Sequence, residues 1–308
     1  MFGLFKNVVI NFHKITNQLW FENTLIDLKK YYTIVPIQDI ESYFYNGQKH
    51  LKNVCHITFD DGDVTFYEII YPLLKRYDIP VSLYVSPYVL SAGANYWFQE
   101  IKGYDSNILM KISKRYIPDN CGFIEKVPLK DFFKMLPIEK IHEIIKNYQE
   151  ETGIPSKKSL NMTTDQLLEV HKSGLVEVGA HTQTHTILAN ETETKAREEI
   201  EESVQQLSEI IGKKVIYFSY PNGIPDYDYT VREMNILNDI GIRLAFSMQK
   251  DNFSRKYHPL SIPRIGLSYG NRIFVISKLL LGRNWSILKT CIGKSKYKKN
   301  RELFNKIS

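Results

Sequence analysis

Four residues carry the chemistry open to this sequence: Asp60 and Asp61 in Thr58-Phe59-Asp60-Asp61-Gly62, and His181 and His185 in His181-Thr182-Gln183-Thr184-His185. Two adjacent carboxylates repel each other unless a cation or a proton relieves them. Two imidazoles four residues apart lie on one side of a helical turn or tight loop and can share one metal ion. Each pair alone has a plainer reading. Asp-Gly forms turns, and a chain with eight His meets an HxxxH spacing by coincidence. No Glu follows His181, so this is not the HExxH arrangement of zinc proteases. Joined to Asp61, the histidines make a two-His, one-carboxylate set, a common metal site with open positions.

Positioning these groups falls to parallel strands. Val8-Val9-Ile10, Tyr32 to Pro36, Val54 to Phe59, Val81 to Val85, Leu175 to Gly179, Val215 to Ser219 and Ile242 to Phe246 read as strands. Helical spacing or capping marks Phe66 to Tyr77, Ile138 to Tyr148, Thr164 to Lys172, Thr194 to Ile211 and Thr230 to Ile240 between them. This alternation predicts an α/β fold with a parallel sheet. His13, Asp60-Asp61, His181 and Ser219 to Asn222 each follow directly on a strand. In a barrel of parallel strands those positions meet on one rim, where active sites are built. His56, inside its strand, reads as a packing His, and Asp63 as a solvated acid.

At this point the sequence resembles the polysaccharide deacetylases of the NodB-homology type, like carbohydrate esterase family 4. Thr58 to Gly62 and His181-Thr182-x-x-His185 carry the likeness. Val176 to Thr182, Phe218 to Gly223 and Ile262 to Ile265 agree with it. It runs from about Val8 to Leu267 and implies a distorted (β/α) barrel with a helical insertion over about 91–160. Residues 1–270 are then the catalytic domain and 271–308 a basic amphipathic tail. The resemblance implies a metal-dependent hydrolase that removes acetyl from an N-acetylated sugar. Asp61, His181 and His185 would hold the metal, Zn2+ or another divalent transition ion, and Asp60 would be the general base. Tyr220 and Asn222 would be the substrate and oxyanion contacts, through a backbone N–H after the third motif strand. The sequence departs from better-known members at the third motif, where Ser219 replaces their Arg, and it has no late Leu-x-His triplet; His258 stands in Tyr-His-Pro. Asn11-Phe12-His13 resembles the first-strand Tyr-His of the biofilm-exopolysaccharide branch, which implies His13 as general acid. Arg264 is the candidate to orient Asp60. Two other readings are a non-sugar amide hydrolase on the same barrel and a non-catalytic carbohydrate binder, the latter suggested by the missing Arg.

Composition bounds these readings. Of 308 residues, 43% are hydrophobic and 24% charged, which excludes a disordered or fibrous chain and an integral membrane protein. Three Cys without a CxxC spacing (Cys55, Cys121, Cys291) make no disulfide frame. Lys6, Asn7 and Asn11 interrupt the first apolar runs, so no signal-peptide core forms and a cytoplasmic protein is expected. From Asn271 to Ser308 there are ten Lys or Arg and one acid, Glu302. The body is near neutral and not nucleic-acid-like. Ile273 to Leu288, with Trp285, Ile287 and Leu288, suits a helix on an anionic membrane surface, and equally one packed on the barrel. A lipid-linked sugar would fit the former. Tyr96 and Trp97 could stack on a sugar or form the insertion's core.

Overall fold

The computed structural model describes residues 6–47, 51–91, 93–116, 127–281 and 296–304. Its centre is a parallel sheet of eight strands: β1 (Val8–Phe12), β2 (Thr33–Ile34), β3 (Val54–Asp60), β4 (Val81–Val85), β5 (Val176–Ala180), β6 (Tyr217–Ser219), β7 (Leu244–Phe246) and β8 (Ile265–Gly266). The order is β7-β6-β5-β4-β3-β1-β8, with β2 beside β3. β1, β3 and β4 are buried throughout, as continuous apolar runs in a parallel sheet must be.

The sheet curls until its two ends share one short segment. Ile262 exchanges backbone bonds with β7 (Ser247 N to Ile262 O, 2.8 Å; Ile262 N to Ala245 O, 2.9 Å). Three residues on, Ile265 and Gly266 pair with Ile10 and Asn11 of β1. The chain thus steps across the gap between β7 and β1, and Arg264 lies in that step. The result is a distorted (β/α) barrel. Side chains of one parity (Val9, Tyr84, Tyr217 and Phe246) form one apolar cluster with Ile262. Side chains of the other parity, such as Ile10, Ile57, Leu83 and Phe218, pack in the larger cluster with the surrounding helices.

Two elements differ from the expectation. The predicted strand at Tyr32 to Pro36 shortens to Thr33–Ile34, because Pro36 has no N–H to donate and instead caps a helix, Ile37–Tyr45. The stretch after His13 is a helix, Gln18–Tyr31, capped by Asn17, whose side chain accepts from Trp20 N at 2.8 Å. Leu19 and Ile26 lie exposed on its outer side, and they blur the two-faced pattern that would have marked it.

Between β4 and β5 the helices Trp97–Glu100, Ser106–Ser113, Leu129–Phe133 and Ile138–Thr152 build their own apolar core. The segment rejoins the barrel where Met162 N bonds Gly62 O and Val64 N bonds Leu160 O. Both described parts of the tail pack on the body. In Arg272–Leu281, Val275 and Leu279 are buried in the main core and Arg272 forks onto Asp27 (2.8 and 2.6 Å). In Lys296–Phe304, Phe304 enters the insertion's core, and buried Arg301 donates to Lys134 O and Asn190 Oδ1. Trp285, Ile287, Leu288, Cys121 and Cys291 lie outside the described residues. Among the described residues no helix is long and apolar enough to cross a membrane.

Candidate metal centre and active site

β3 delivers the first two groups. Its alternation puts His56, Thr58 and Asp60 on the inner side, and the chain then turns at Asp61 and Gly62, both at positive φ (76° and 71°). A Cβ on Gly62 would come within 2.7 Å of Val85 Cγ1, so only glycine fits that turn beside β4. β5 brings His181, tied by its N–H to Val85 O at 3.1 Å. The loop to His185 is strained: Thr182 and His185 both sit at φ 61°. Buried Glu199 holds it from the neighbouring helix, accepting from Thr184 N (2.9 Å) and Thr184 Oγ (2.8 Å). Of the seven non-glycine residues at positive φ among those described, Asp61, Thr182, His185 and Asn222 belong to the motif turns. Such conformations cost about 1–3 kcal/mol each and persist where surroundings enforce them.

Asp61, His181 and His185 offer ligand atoms that all lie within 4.8 Å of one another. His185 Nε2 stands 3.3 Å and His181 Nε2 3.7 Å from Asp61 Oδ1. That oxygen is buried and accepts no hydrogen bond. Leaving a buried carboxylate oxygen bare is costly, and a cation removes the cost. His181 donates Nδ1–H to Ser219 O at 2.6 Å, which turns the Nε2 lone pair toward Asp61. Burial pushes His181 down to about 4, so its ring is neutral and able to ligate. Burial raises Asp61, but His185, His13 and His181 outweigh it and hold the carboxyl far below the usual range. Two imidazoles and a carboxylate with an unsatisfied oxygen fit a divalent transition ion.

Asp60, one residue away, is satisfied from within. Arg264, 0% exposed, grips it with two parallel bonds: Nη1 to Oδ1 at 2.9 Å and Nη2 to Oδ2 at 2.8 Å. Asn11 Nδ2 adds a bond to Oδ2 at 3.0 Å. Arg264 is fixed in turn by Thr58 Oγ (3.1 Å), Asn11 Oδ1 (3.2 Å), Ser219 Oγ (2.8 Å) and Ser247 O (3.3 Å). Burial raises Asp60, and Arg264 followed by His181 and His13 more than reverses it, so the group is an anion at neutral pH. His13 is exposed at the end of β1 and acts electrostatically on both aspartates.

A paired acid beside a metal-type cluster on a barrel rim can be compared with known proteins. The sequence model of the family "polysaccharide deacetylase" matches residues 139–245. Over that stretch, about a third of its length, the chain is similar to a polysaccharide deacetylase domain. No curated protein sequence matches it. Similar solved structures include the deacetylase PplD of Streptococcus pyogenes (16% identity, TM-score 0.62, 89% of this chain and 98% of that one). IcaB from Ammonifex degensii follows (20%, 0.59, 90% and 97%). So does the deacetylase domain of BpsB from Bordetella bronchiseptica (15%, 0.55, 87% and 98%). At these identities the structural likeness is one of fold.

The other residues singled out from the sequence fall in different places. Tyr220 is not brought to the cluster: its hydroxyl donates to Leu260 O, its N–H to Phe246 O, and its ring stacks on Tyr229 at 3.6 Å. The cause is alternation, since Phe218 and Tyr220 share the outer parity of β6. Asn222 sits on the turn after β6 with its side chain between Lys134 Nζ (2.7 Å) and Asp228 Oδ2 (2.6 Å). His56 bridges Val35 O and Ser82 Oγ, both at 2.9 Å, as a packing His. Asp63 is buried rather than solvated: it accepts from Thr65 N and Oγ and pairs with Lys14 at 3.1 Å. His258 caps a short turn by accepting from Leu260 N. Tyr96 and Trp97 are buried. Tyr96 donates to Asp61 O at 2.7 Å and, with Phe98, packs on His185. Trp97 stacks on Phe133 in the insertion's core. Sequence reasoning missed Asn11 and Thr58 as supports of the Asp60–Arg264 pair. Their signal was available: Asn11 is an amide inside the apolar run of β1.

Proposed function

We propose that this protein is a metal-dependent N-deacetylase of an N-acetylated saccharide, acting in bacterial surface-polysaccharide or glycolipid synthesis. The observation that carries the reading is the opposite state of two adjacent acids. Asp60 has its countercharge inside the protein, and Asp61 keeps a bare oxygen beside two imidazoles. PplD was solved in complex with acetate, the acid that a deacetylation releases.

Asp61, His181 and His185 would hold the ion, with Zn2+ the first candidate. When bound, it would supply Lewis acidity toward an amide carbonyl and toward water. Asp60 takes a proton from the attacking water at Oδ1, the oxygen that carries one hydrogen bond where Oδ2 carries three. Arg264 keeps that carboxylate charged and aimed, as the family's third-motif arginine is expected to do. The backbone N–H of Asn222 would donate to the developing oxyanion. His13, at the exposed end of β1, gives a proton to the departing amine, so that the C–N bond breaks to acetate and a free amino sugar. The binder reading drew on Ser219; Arg264 bonded to both Ser219 and Asp60 supports the enzyme reading instead.

The test is acetate release by metal-reconstituted protein from N-acetylhexosamine oligosaccharides and their lipid-linked forms. Release that disappears in Asp60→Asn while metal stays bound is the expected result. Stoichiometric metal without release from any saccharide would transfer the reading to a non-sugar amide or to a binder.

A further inference from the structure

Ten large apolar or aromatic side chains are exposed among the described residues, and half of them share one region. Leu19 (68% exposed) and Ile26 lie on helix Gln18–Tyr31, Ile273 (77%) and Leu280 on helix Arg272–Leu281, and Tyr269 (71%) on the loop into the latter. The two helices are neighbours. Arg272 forks onto Asp27, Trp20 Nε1 donates to Gly270 O at 2.8 Å, and the Trp20 and Tyr269 rings lie 5.7 Å apart. Within each helix the exposed pair is seven residues apart, two turns along one face. The buried faces carry Phe21, Leu25 and Leu28 in one and Val275 and Leu279 in the other. Between the two helices runs a groove of about 560 Å³, lined by Trp20, Ile26 and Val275 and by the polar Asn23, Asp27 and Arg272. Monomeric proteins rarely gather exposed apolar groups this way without a partner.

Position and charge select the partner. The first helix follows β1 and the second follows β8, so both start at the rim that carries His13, Asp60 and Asp61. Lys29 and Lys30 close the first helix, and the second carries Arg272 and Lys278 and no acid. Two copies of such a surface would meet with like charge, whereas a layer of lipid phosphates complements it. We propose that this two-helix ridge docks the protein on an anionic bilayer, with Leu19, Tyr269 and Ile273 entering the interface and the catalytic rim facing the headgroups. Membrane contact then belongs to the barrel's first helix as much as to the tail. The surface is independent of the reaction assigned to the site.

The experiment is flotation of the full-length protein with phosphatidylglycerol–phosphatidylcholine vesicles and with phosphatidylcholine vesicles alone. Wild type floats with the anionic vesicles, and Leu19→Glu combined with Ile273→Glu lowers the bound fraction about tenfold or more. The milder pair Leu19→Ser and Ile273→Ser lowers it in the same direction. Unchanged thermal unfolding and metal content show that the variants are folded. Three results would overturn the proposal: no flotation of wild type, equal flotation of the Glu pair, or a lipid-free dimer that the Glu pair dissolves, which would make the ridge a contact between copies.

Discussion

The two sides of the site differ in where their countercharge comes from. On the Asp60 side every partner is part of the protein: Arg264, Asn11 and Ser219 surround the carboxylate, and Thr58 and Ser247 hold the arginine. On the Asp61 side one carboxylate oxygen and His185 Nδ1 are buried without a hydrogen bond. Neighbours of one residue type thus reach opposite states, because β3 ends between them: Asp60 still has the inner parity of the strand, and Asp61 has turned to positive φ. The closed side is fixed by folding. The open side is the one that the proposed metal ion would complete.

Exchanging the two acids for amides should separate these sides most widely. Asp61→Asn removes the only carboxylate of the cluster and should abolish both metal retention and turnover, measured by metal analysis after dialysis against chelator. Asp60→Asn should keep the metal and lower acetate release by about 10²–10⁴-fold, the range of a lost general base. Metal loss in Asp60→Asn would merge the two sides into one site and break the comparison.

Arg264 probes the closed side through stability. Arg264→Met leaves a buried anion without its cation, a loss of about 3–5 kcal/mol in denaturant unfolding. Adding Asp60→Asn should return much of it, since the amide needs no countercharge. If the double variant is no more stable than Arg264→Met, the guanidinium acts by packing against Tyr84 and Phe246 more than by charge.

What could be read from the sequence follows the same division. β1, β3, β4 and β5 were legible because buried parallel strands are unbroken apolar runs, and the ends of β3 and β5 located Asp61 and His181 of the candidate metal cluster. β8 was not: it is two residues long, and it exists because Ile262 and Ile265 bond to opposite ends of the sheet. Arg264 is marked by the arginine missing at Ser219, and Asn11 by being an amide inside an apolar run, but that Asn11 and Thr58 both hold Arg264 depends on a partner 253 and 206 residues away and has no local signature. Tyr220 was misplaced although period-two alternation from Ser219 would have sent it outward. The insertion's helical character was visible. Its partnership with the C-terminal helix through Phe304 and Arg301 depends on distant chain segments and has no local signature.

His56 tests the depth of the closed side, two residues along the inner face from Thr58 and four from Asp60. Burial, reinforced by Arg264 and opposed by the bond to Val35, lowers it from 6.5 to about 4. The unfolded chain therefore takes up a proton between those values while the folded chain does not, and stability falls as pH drops from about 6.5 to about 4. The contribution is about 3 kcal/mol across that window, from about 1.4 kcal/mol per pH unit. Unfolding of wild type and His56→Asn at several pH values should show a flatter curve for the variant. Parallel curves would mean that His56 is protonated in the native barrel.

The smallest expected effect sits where the insertion meets the open side. Tyr96 donates its hydroxyl to Asp61 O at 2.7 Å, and its ring lies 5.0 Å from His185. Tyr96→Phe keeps the ring and deletes the donor, leaving a buried carbonyl at the one turn where strand parity breaks. The net loss is about 1 kcal/mol in stability. Metal affinity should fall about tenfold, since the carbonyl fixes the backbone that aims Asp61. Tyr96→Leu removes the ring as well and should cost more, by freeing His185. If Tyr96→Phe loses stability but no metal affinity, the insertion only packs on the barrel; if it loses metal affinity, the insertion is part of what sets the open side's geometry, although no ligand comes from it.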